Sequence, residues 1–422
     1  MQQSHTIGKP VLIPAALAHK TKRVQYKKDG TAIFTIVNGK TVTIPKAKQY
    51  DLTQATIFGL NERLTMAATS PVVDKRGKTL RELFNTEWEN YAKALEKAKK
   101  GDFDYGVYAY YERSGDLVRY ADPYWHKVVS MASNSMLIAD PKRTLSWKEI
   151  RAIFDATTVG VVGASVGGSI MHTTVMDLRP NHIKVADKSL YKLENVNRVR
   201  LRYSEIVESN EKRTSATDSL LRNKAIVTAE QIYAIDPFIT VHAYSEGINQ
   251  SNINRFFRGA SGEPKVDILV EEVDDAQMKV TLREYARKHR IPLLMVSDFG
   301  SNVQLDISRF DLNPKLSLTY GATDKDLHNA TAAVYARGGE VSAFFDFVDA
   351  LVGRDYRAGE LDMILNQKCE IPTSTIIPQL GSTISTAAGI MAETIARIRL
   401  GWSNHPRRVV FNKRDFTIKL YK

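Results

Sequence analysis

The sequence predicts an α/β protein whose core is a doubly wound, mainly parallel sheet, preceded by a small α+β module. From Thr157 onward, short apolar runs alternate with stretches of helical periodicity, the pattern of strands joined by crossover helices. The runs TTVGVVG, HIKVAD, ITVHAY, VDILVEEV and PLLMVSD show little polar alternation, so they read as strands covered on both faces, as parallel sheets require. The first hundred residues are instead rich in hairpin turns, which sets residues 1–130 apart as the module and leaves 131–422 for the sheet domain.

Taken in order, KRVQYKKDGTAIFTIVNGKTVTI gives three short β runs separated by Asp29-Gly30 and Asn38-Gly39, dipeptides suited to tight hairpins. TLRELFNTEWENYAKALEKAKKG then has apolar residues at helical spacing and a glycine stop at Gly101. YGVYAYYERSGDLVRYA predicts another hairpin, turning at Ser114-Gly115. In the sheet domain, NKAIVTAEQIYAI and DAQMKVTLREYARKH predict helices between strands, and VQLDISRF adds a strand near the sheet edge. TAAVYARGG, EVSAFFDFVDALVG and STISTAAGIMAETIARIRLG predict further helices, covering the sheet or forming a dimer surface, and RRVVFNKRDFTIKLYK a closing hairpin.

Composition narrows the function classes. With 43% hydrophobic and 25% charged residues the chain has a globular rather than a disordered composition. No apolar run approaches the roughly 18 residues that span a bilayer. Near the N-terminus the basic residues follow the short apolar stretch, the reverse of a secretion signal, so a cytoplasmic location is expected. One cysteine, Cys369, excludes an internal disulfide framework and a Cys-rich zinc site. A net charge of +12 favours an acidic partner such as nucleic acid, a nucleotide or an acidic peptide, or a generally basic surface.

The run Gly163-Ala164-Ser165-Val166-Gly167-Gly168 joins the first strand of the sheet domain to a helix. In a dinucleotide turn, G-x-G-x-x-G, the second glycine admits the pyrophosphate and the third permits close helix packing. Ser165 occupies the second position here, which makes a standard NAD or FAD site less comfortable. Asp187 lies 24 positions after Gly163 at the end of the next strand, where a carboxylate can accept hydrogen bonds from a ribose. Asn195 and Arg198 follow, and Lys224 begins the next helix. Cations there suit chemistry on a nucleoside triphosphate, which needs charge compensation as phosphates separate. Lys224 also reads as an ordinary solvated first-turn lysine.

The fourth strand ends in Glu271, Glu272, Asp274 and Asp275, at the sheet edge where open α/β folds bind ligands. A carboxylate there, beside phosphates, suits Mg2+. Asp274 is the metal candidate, while Asp275 is placed to cap the next helix.

These segments, in this order, resemble the ThiF/MoeB superfamily of ubiquitin-activating-enzyme-like adenylyltransferases, whose fold is Rossmann-like. VGVVGASVGGS, ADKSLYKLENVNR, NKAIVTAEQIYAIDP and VDILVEEVDDAQMKVTLREYARKHRIPLLMVSD carry the resemblance. EEVDDAQMKVTLREYARKHRIPLLM is similar to a bacterial branch sometimes joined to nitroreductase-like domains, and no such domain is expected in this chain. The resemblance implies ATP and Mg2+ as cofactors, with Gly163, Ser165, Gly167 and Gly168 at the nucleotide, Asp187 on the ribose and Asn195, Arg198 and Lys224 around the phosphates. It makes Arg198, Lys224 and Asp274 the catalytic set, with Asp274 linked to magnesium. The implied reaction activates a carboxylate on a ubiquitin-like protein, a peptide or a small molecule as an acyl adenylate, releasing pyrophosphate, and the implied assembly is a homodimer.

Three features depart from the family. Its usual Asp-x-Asp reads Asp187-Lys188-Ser189 here. MASNSMLIADPKR contains no arginine before Arg143, where relatives carry one that reaches the phosphates. Paired Cys-x-x-Cys zinc motifs are absent, and Cys369 stands without a nearby histidine to activate it. Alternatives are a tRNA-modifying dehydratase of the same superfamily, which lacks support from any aromatic and basic RNA motif, a nucleotide-binding scaffold with a weakened clamp, and an NAD-dependent oxidoreductase, which leaves Asn195, Arg198 and Lys224 without a role.

Overall fold

The computed structural model describes residues 8–14, 21–27, 32–36, 41–44, 81–82, 107–111, 113, 116–120, 127, 145–208, 220–299, 302–338, 340–353, 379–413 and 415–422. Cys369, Arg143, the three hairpin turn dipeptides and most of the helix expected after Thr79 lie outside them. The chain forms two compact units, one of Gly8–Val129 with Tyr233–Phe238, the other of Met1–Ile7, Ser130–Ile232 and Ile239–Lys422.

In the first unit, β1 (Val11–Pro14), β6 (Val107–Tyr111), β7 (Asp116–Tyr120) and β5 (Arg81–Glu82) form one sheet, and β2 (Thr21–Tyr26), β3 (Ala32–Ile36) and β4 (Thr41–Ile44) another. β2, β3 and β4 are antiparallel neighbours, as are β6 and β7. Arg81 and Glu82, expected at the start of a helix, instead pair in parallel with Val118 and Arg119 of β7. Backbone pairing to a distant strand overrides the local helical spacing there. Leu12, Ala109, Val118 and Tyr120 form a small core, against which Tyr111 and Phe238 pack.

The second unit is built on an eight-stranded sheet with order β10-β9-β8-β11-β12-β13-β14-β15. Here β8 is Thr158–Val162, β9 His182–Ala186, β10 Thr240–Tyr244, β11 Ile268–Glu271 and β12 Leu293–Phe299. These five run parallel, while β13 (Asn302–Ser308), β14 (Arg408–Asn412) and β15 (Thr417–Tyr421) extend the sheet antiparallel. Every residue of β8 and β11 is buried, as unbroken apolar runs predict.

Nine helices flank the strands among the described residues: α1 (Trp147–Asp155), α2 (Val166–Leu178), α3 (Tyr203–Ile206), α4 (Lys224–Ile235), α5 (Ile253–Arg258), α6 (Ala276–Lys288), α7 (Asp324–Ala336), α8 (Val341–Val352) and α9 (Gly381–Arg399). The small buried residues of α9, including Ala387, Ala388 and Ala392, let it lie along α2. Phe256 and Phe257 of α5 and Val280, Leu282 and Ala286 of α6 bury with Leu269 and Leu293 of the sheet. No described helix is long and apolar enough to cross a membrane.

Candidate functional site

The chain leaves β8 for β9 on one side and leaves β11 for β12 on the other, so β8 and β11 enclose a switch point. Open α/β sheets bind ligands in the crevice at the carboxyl ends of such strands. Gly163 follows β8 with φ +95°, and a Cβ added there would stand 2.2 Å from the Glu272 carbonyl oxygen. Only glycine accommodates both that backbone conformation and that approach. At Gly167, in the first turn of α2, an added Cβ would meet Val161 at 2.5 Å, so this glycine brings the helix close to the strand. Gly168 is buried beside it.

Ser165 precedes α2 at the N-cap position but makes no cap hydrogen bond, and its Oγ is shielded and unpartnered among the described residues. The backbone N–H groups of a helix's first turn lack intrahelical acceptors and carry the positive end of the helix dipole. The turn therefore offers an anion both main-chain donors and one uncommitted hydroxyl.

Asp187 directly follows β9. Its Oδ2 accepts the Ala164 N–H at 2.7 Å and its Oδ1 the Ser189 N–H at 2.7 Å. Each oxygen keeps further lone-pair capacity, so the carboxylate both fixes the turn and remains able to accept from a ligand. Asn223 Nδ2 donates to the Asp187 carbonyl at 2.9 Å and the Ser245 carbonyl at 3.1 Å, while its Oδ1 accepts the Ile226 N–H at the start of α4. Neither this clamp nor Tyr191 was singled out by the sequence. An asparagine opening a helical run is a cap signal, whereas nothing in SLYKLEN marks Tyr191.

Tyr191 is the hub of the site. Its buried hydroxyl donates to the Ala164 carbonyl at 3.1 Å, and burial holds that phenol well above its ordinary pKa, so it stays a donor. Lys224 places Nζ 5.9 Å from the Tyr191 ring centroid and forms no ion pair among the described residues. Arg198 also lacks an ion pair there; Nη1 reaches Asn197 Oδ1 at 3.4 Å, and Nε is shielded without a partner. Asn195 is buried, with Oδ1 accepting the Lys192 N–H at 2.9 Å to close the Leu193–Asn197 3-10 turn.

The four carboxylates after β11 separate by role. Glu271 is fully buried between Lys279 at 2.9 Å and Arg283 at 2.8 Å. Glu272 Oε1 accepts the Val296 N–H at 2.8 Å. Asp275 caps α6 through the Met278 N–H at 2.7 Å and accepts from Tyr335 Oη at 3.0 Å. Asp274 is exposed and has no hydrogen bond or ion pair among the described residues, two positions past the Glu272 carbonyl that abuts Gly163. Among the described residues no three His, Cys, Asp or Glu side chains cluster as a protein-only metal cage.

Comparison with known proteins adds an independent line. The uncharacterized protein MT1398 of Mycobacterium tuberculosis (strain CDC 1551 / Oshkosh) is 26% identical over 273 residues. The match covers 62% of this chain, which spans 33% of that relative's length. Among solved structures, the crystal structure of PaaA is 11% identical with a TM-score of 0.43, covering 94% of this chain and 97% of that one. The crystal structure of E. coli MccB with ATP is 10% identical with a TM-score of 0.44, covering 98% and 96%. The model of the ThiF family matches residues 144–421, from the approach to α1 through β15. With two thirds of its length matched, this chain belongs to the ThiF family.

Proposed function

We propose that the protein is an ATP-dependent adenylyltransferase that activates a substrate carboxylate as an acyl adenylate. The observation that carries this reading is the pair of cations, Arg198 and Lys224, without counter-charge among the described residues, in the segments packed around Tyr191 and the Gly163–Gly168 turn. Unpaired charge at a helix N-terminus suits a polyphosphate. Hydride transfer would leave both cations unused.

In this reading the α2 amides and Ser165 Oγ bind phosphate oxygens, Asp187 accepts from the ribose hydroxyls, and Asn195 contributes its uncommitted Nδ2. Arg198 and Lys224 hold the β- and γ-phosphates and offset the charge that accumulates as pyrophosphate departs. The substrate carboxylate attacks the α-phosphorus in line with that leaving group, so the protein's contribution is positioning and electrostatics. Asp274, the uncommitted carboxylate of its run, fits Mg2+, which uses one or two protein carboxylates with phosphate and water oxygens. Bound there, the ion supplies further compensation of phosphate charge. The substrate is a peptide, a ubiquitin-like C-terminus or a small carboxylic acid selected by the N-terminal unit, and the working assembly is a homodimer.

ATP–pyrophosphate exchange tests the reading. With Mg2+ and a panel of carboxylate substrates, substrate-dependent exchange is expected, falling at least a hundredfold in Asp274→Ala. Tight ATP binding without exchange for any carboxylate, or exchange that requires tRNA, would reject it.

A further inference from the structure

At the opposite, amino-terminal edge of the parallel strands, the start of β11, the α6–β12 connection, the end of α5 and the end of α9 line an open-mouthed cavity of about 440 Å³. That volume falls in the range of small-molecule sites. Arg258, Lys265, Arg290 and Arg399 line it. Its two carboxylates are already engaged. Asp311 is held by Arg309 at 2.7 Å, and Asp267 accepts the Thr158 N–H at 2.9 Å with Arg399 at 4.0 Å. Arg258, Lys265 and Arg290 form no ion pair among the described residues.

His289 contributes a second, independent observation. Its ring lines the cavity against Phe257, with centroids 6.1 Å apart, and its Nε2 is shielded without a hydrogen-bond partner among the described residues. Burial, and after it the nearby charges of Lys288 and Arg258, lower its pKa from the ordinary histidine value.

We propose that this cavity is a second ligand site, for a small phosphate-bearing molecule. Arginine forks complement phosphate oxygens bidentately, and three unpaired cations around one concavity match a dianionic group better than a single carboxylate. The small volume of this open-mouthed cavity fits a metabolite-sized phosphate ester rather than a nucleic-acid backbone, which tracks an extended basic surface. Phe257 supplies an apolar wall for the carbon part of such an ester. The site is independent of the ATP reading, because its residues lie at the other end of the strands from Gly163.

Isothermal titration with glycerol 3-phosphate, inorganic phosphate and citrate at low salt tests the assignment, using the full chain and two double variants. Arg258→Ala with Arg290→Ala removes two exposed, unpaired cations, and unchanged thermal melting confirms its fold. Arg198→Ala with Lys224→Ala disables the other anion site. Both phosphates are expected to bind, at least tenfold more weakly to the Arg258/Arg290 variant and unchanged to the Arg198/Lys224 variant. Absence of phosphate binding, loss only in the Arg198/Lys224 variant, or tighter binding of citrate than of glycerol 3-phosphate would each overturn it.

Discussion

Ser165 illustrates how a residue that weakens one functional reading supports another. In sequence it counts against a dinucleotide turn because it fills a glycine position, yet its Oγ has no partner among the described residues. A hydroxyl idle in the protein but placed at a helix N-terminus contributes to ligand affinity and not to folding. Ser165→Ala should therefore weaken ATP binding about ten- to a hundredfold, the scale of one hydrogen bond to a charged group, while leaving the melting temperature unchanged. Calorimetric titration beside a thermal melt checks both halves, and equal affinity would remove Ser165 from the phosphate site. The acidic run shows what a sequence leaves open at this scale: Glu271, Glu272, Asp274 and Asp275 are equivalent as letters. Their separation depends on Lys279, Arg283, Val296 and Met278, and only the first turns of α6 are close in sequence.

Between elements, the support of the sheet includes a buried polar knot that no motif announces. Glu263, in the turn between α5 and β11, accepts from Tyr244 of β10, from Lys184 of β9 at 2.9 Å and from Arg255 of α5 at 2.7 Å. Lys184 and Glu263 are both almost completely buried. Burial raises the Glu263 carboxyl, but its three donors outweigh that and hold it below the ordinary carboxylate range. Removing one member of such a knot leaves the others uncompensated, at a cost of about 3–5 kcal/mol, so Glu263→Gln should lower the urea midpoint accordingly. A folded-state pKa below the unfolded one gives stability that is complete above the ordinary value near 4.3 and is lost as pH falls from there toward the folded value. The gap between unaltered protein and Glu263→Gln should consequently narrow below about pH 4.5; a gap constant down to pH 3 would mean the carboxylate is not the source. The strands β9 and β10 were legible in this region from their apolar runs, because that signal is local, whereas the six-residue α5 was not predicted. The knot joins β9, β10, α5 and a loop, and Glu263 in SGEPKVD looks like any exposed turn residue.

At the scale of the whole chain, alternating strands and helices made the doubly wound core readable, and with it the crevice at the switch point, because strand order follows from a few chirality and packing rules. The discontinuity of the units was not readable: Tyr233–Phe238 belongs with the N-terminal unit, where the Tyr111 hydroxyl donates to the Tyr233 carbonyl at 2.9 Å and Phe238 meets Tyr120 edge-on at 5.9 Å. In sequence that segment is merely the end of α4 and the short link to β10. The core's nucleotide choice is testable through the stability of the intact molecule. A ligand that binds only the folded state at a hundred times its Kd adds about 2.7 kcal/mol, which for a unit of this size raises the melting temperature by about 4–8 °C. ATP with Mg2+ should produce that shift, and NAD+ at equal concentration should not, because Ser165 fills the glycine position a dinucleotide turn uses while the proposed function assigns Arg198 and Lys224 to a triphosphate. A larger shift with NAD+ than with ATP would overturn the adenylylation reading at its first step, since Arg198 and Lys224 would then face no phosphate leaving group.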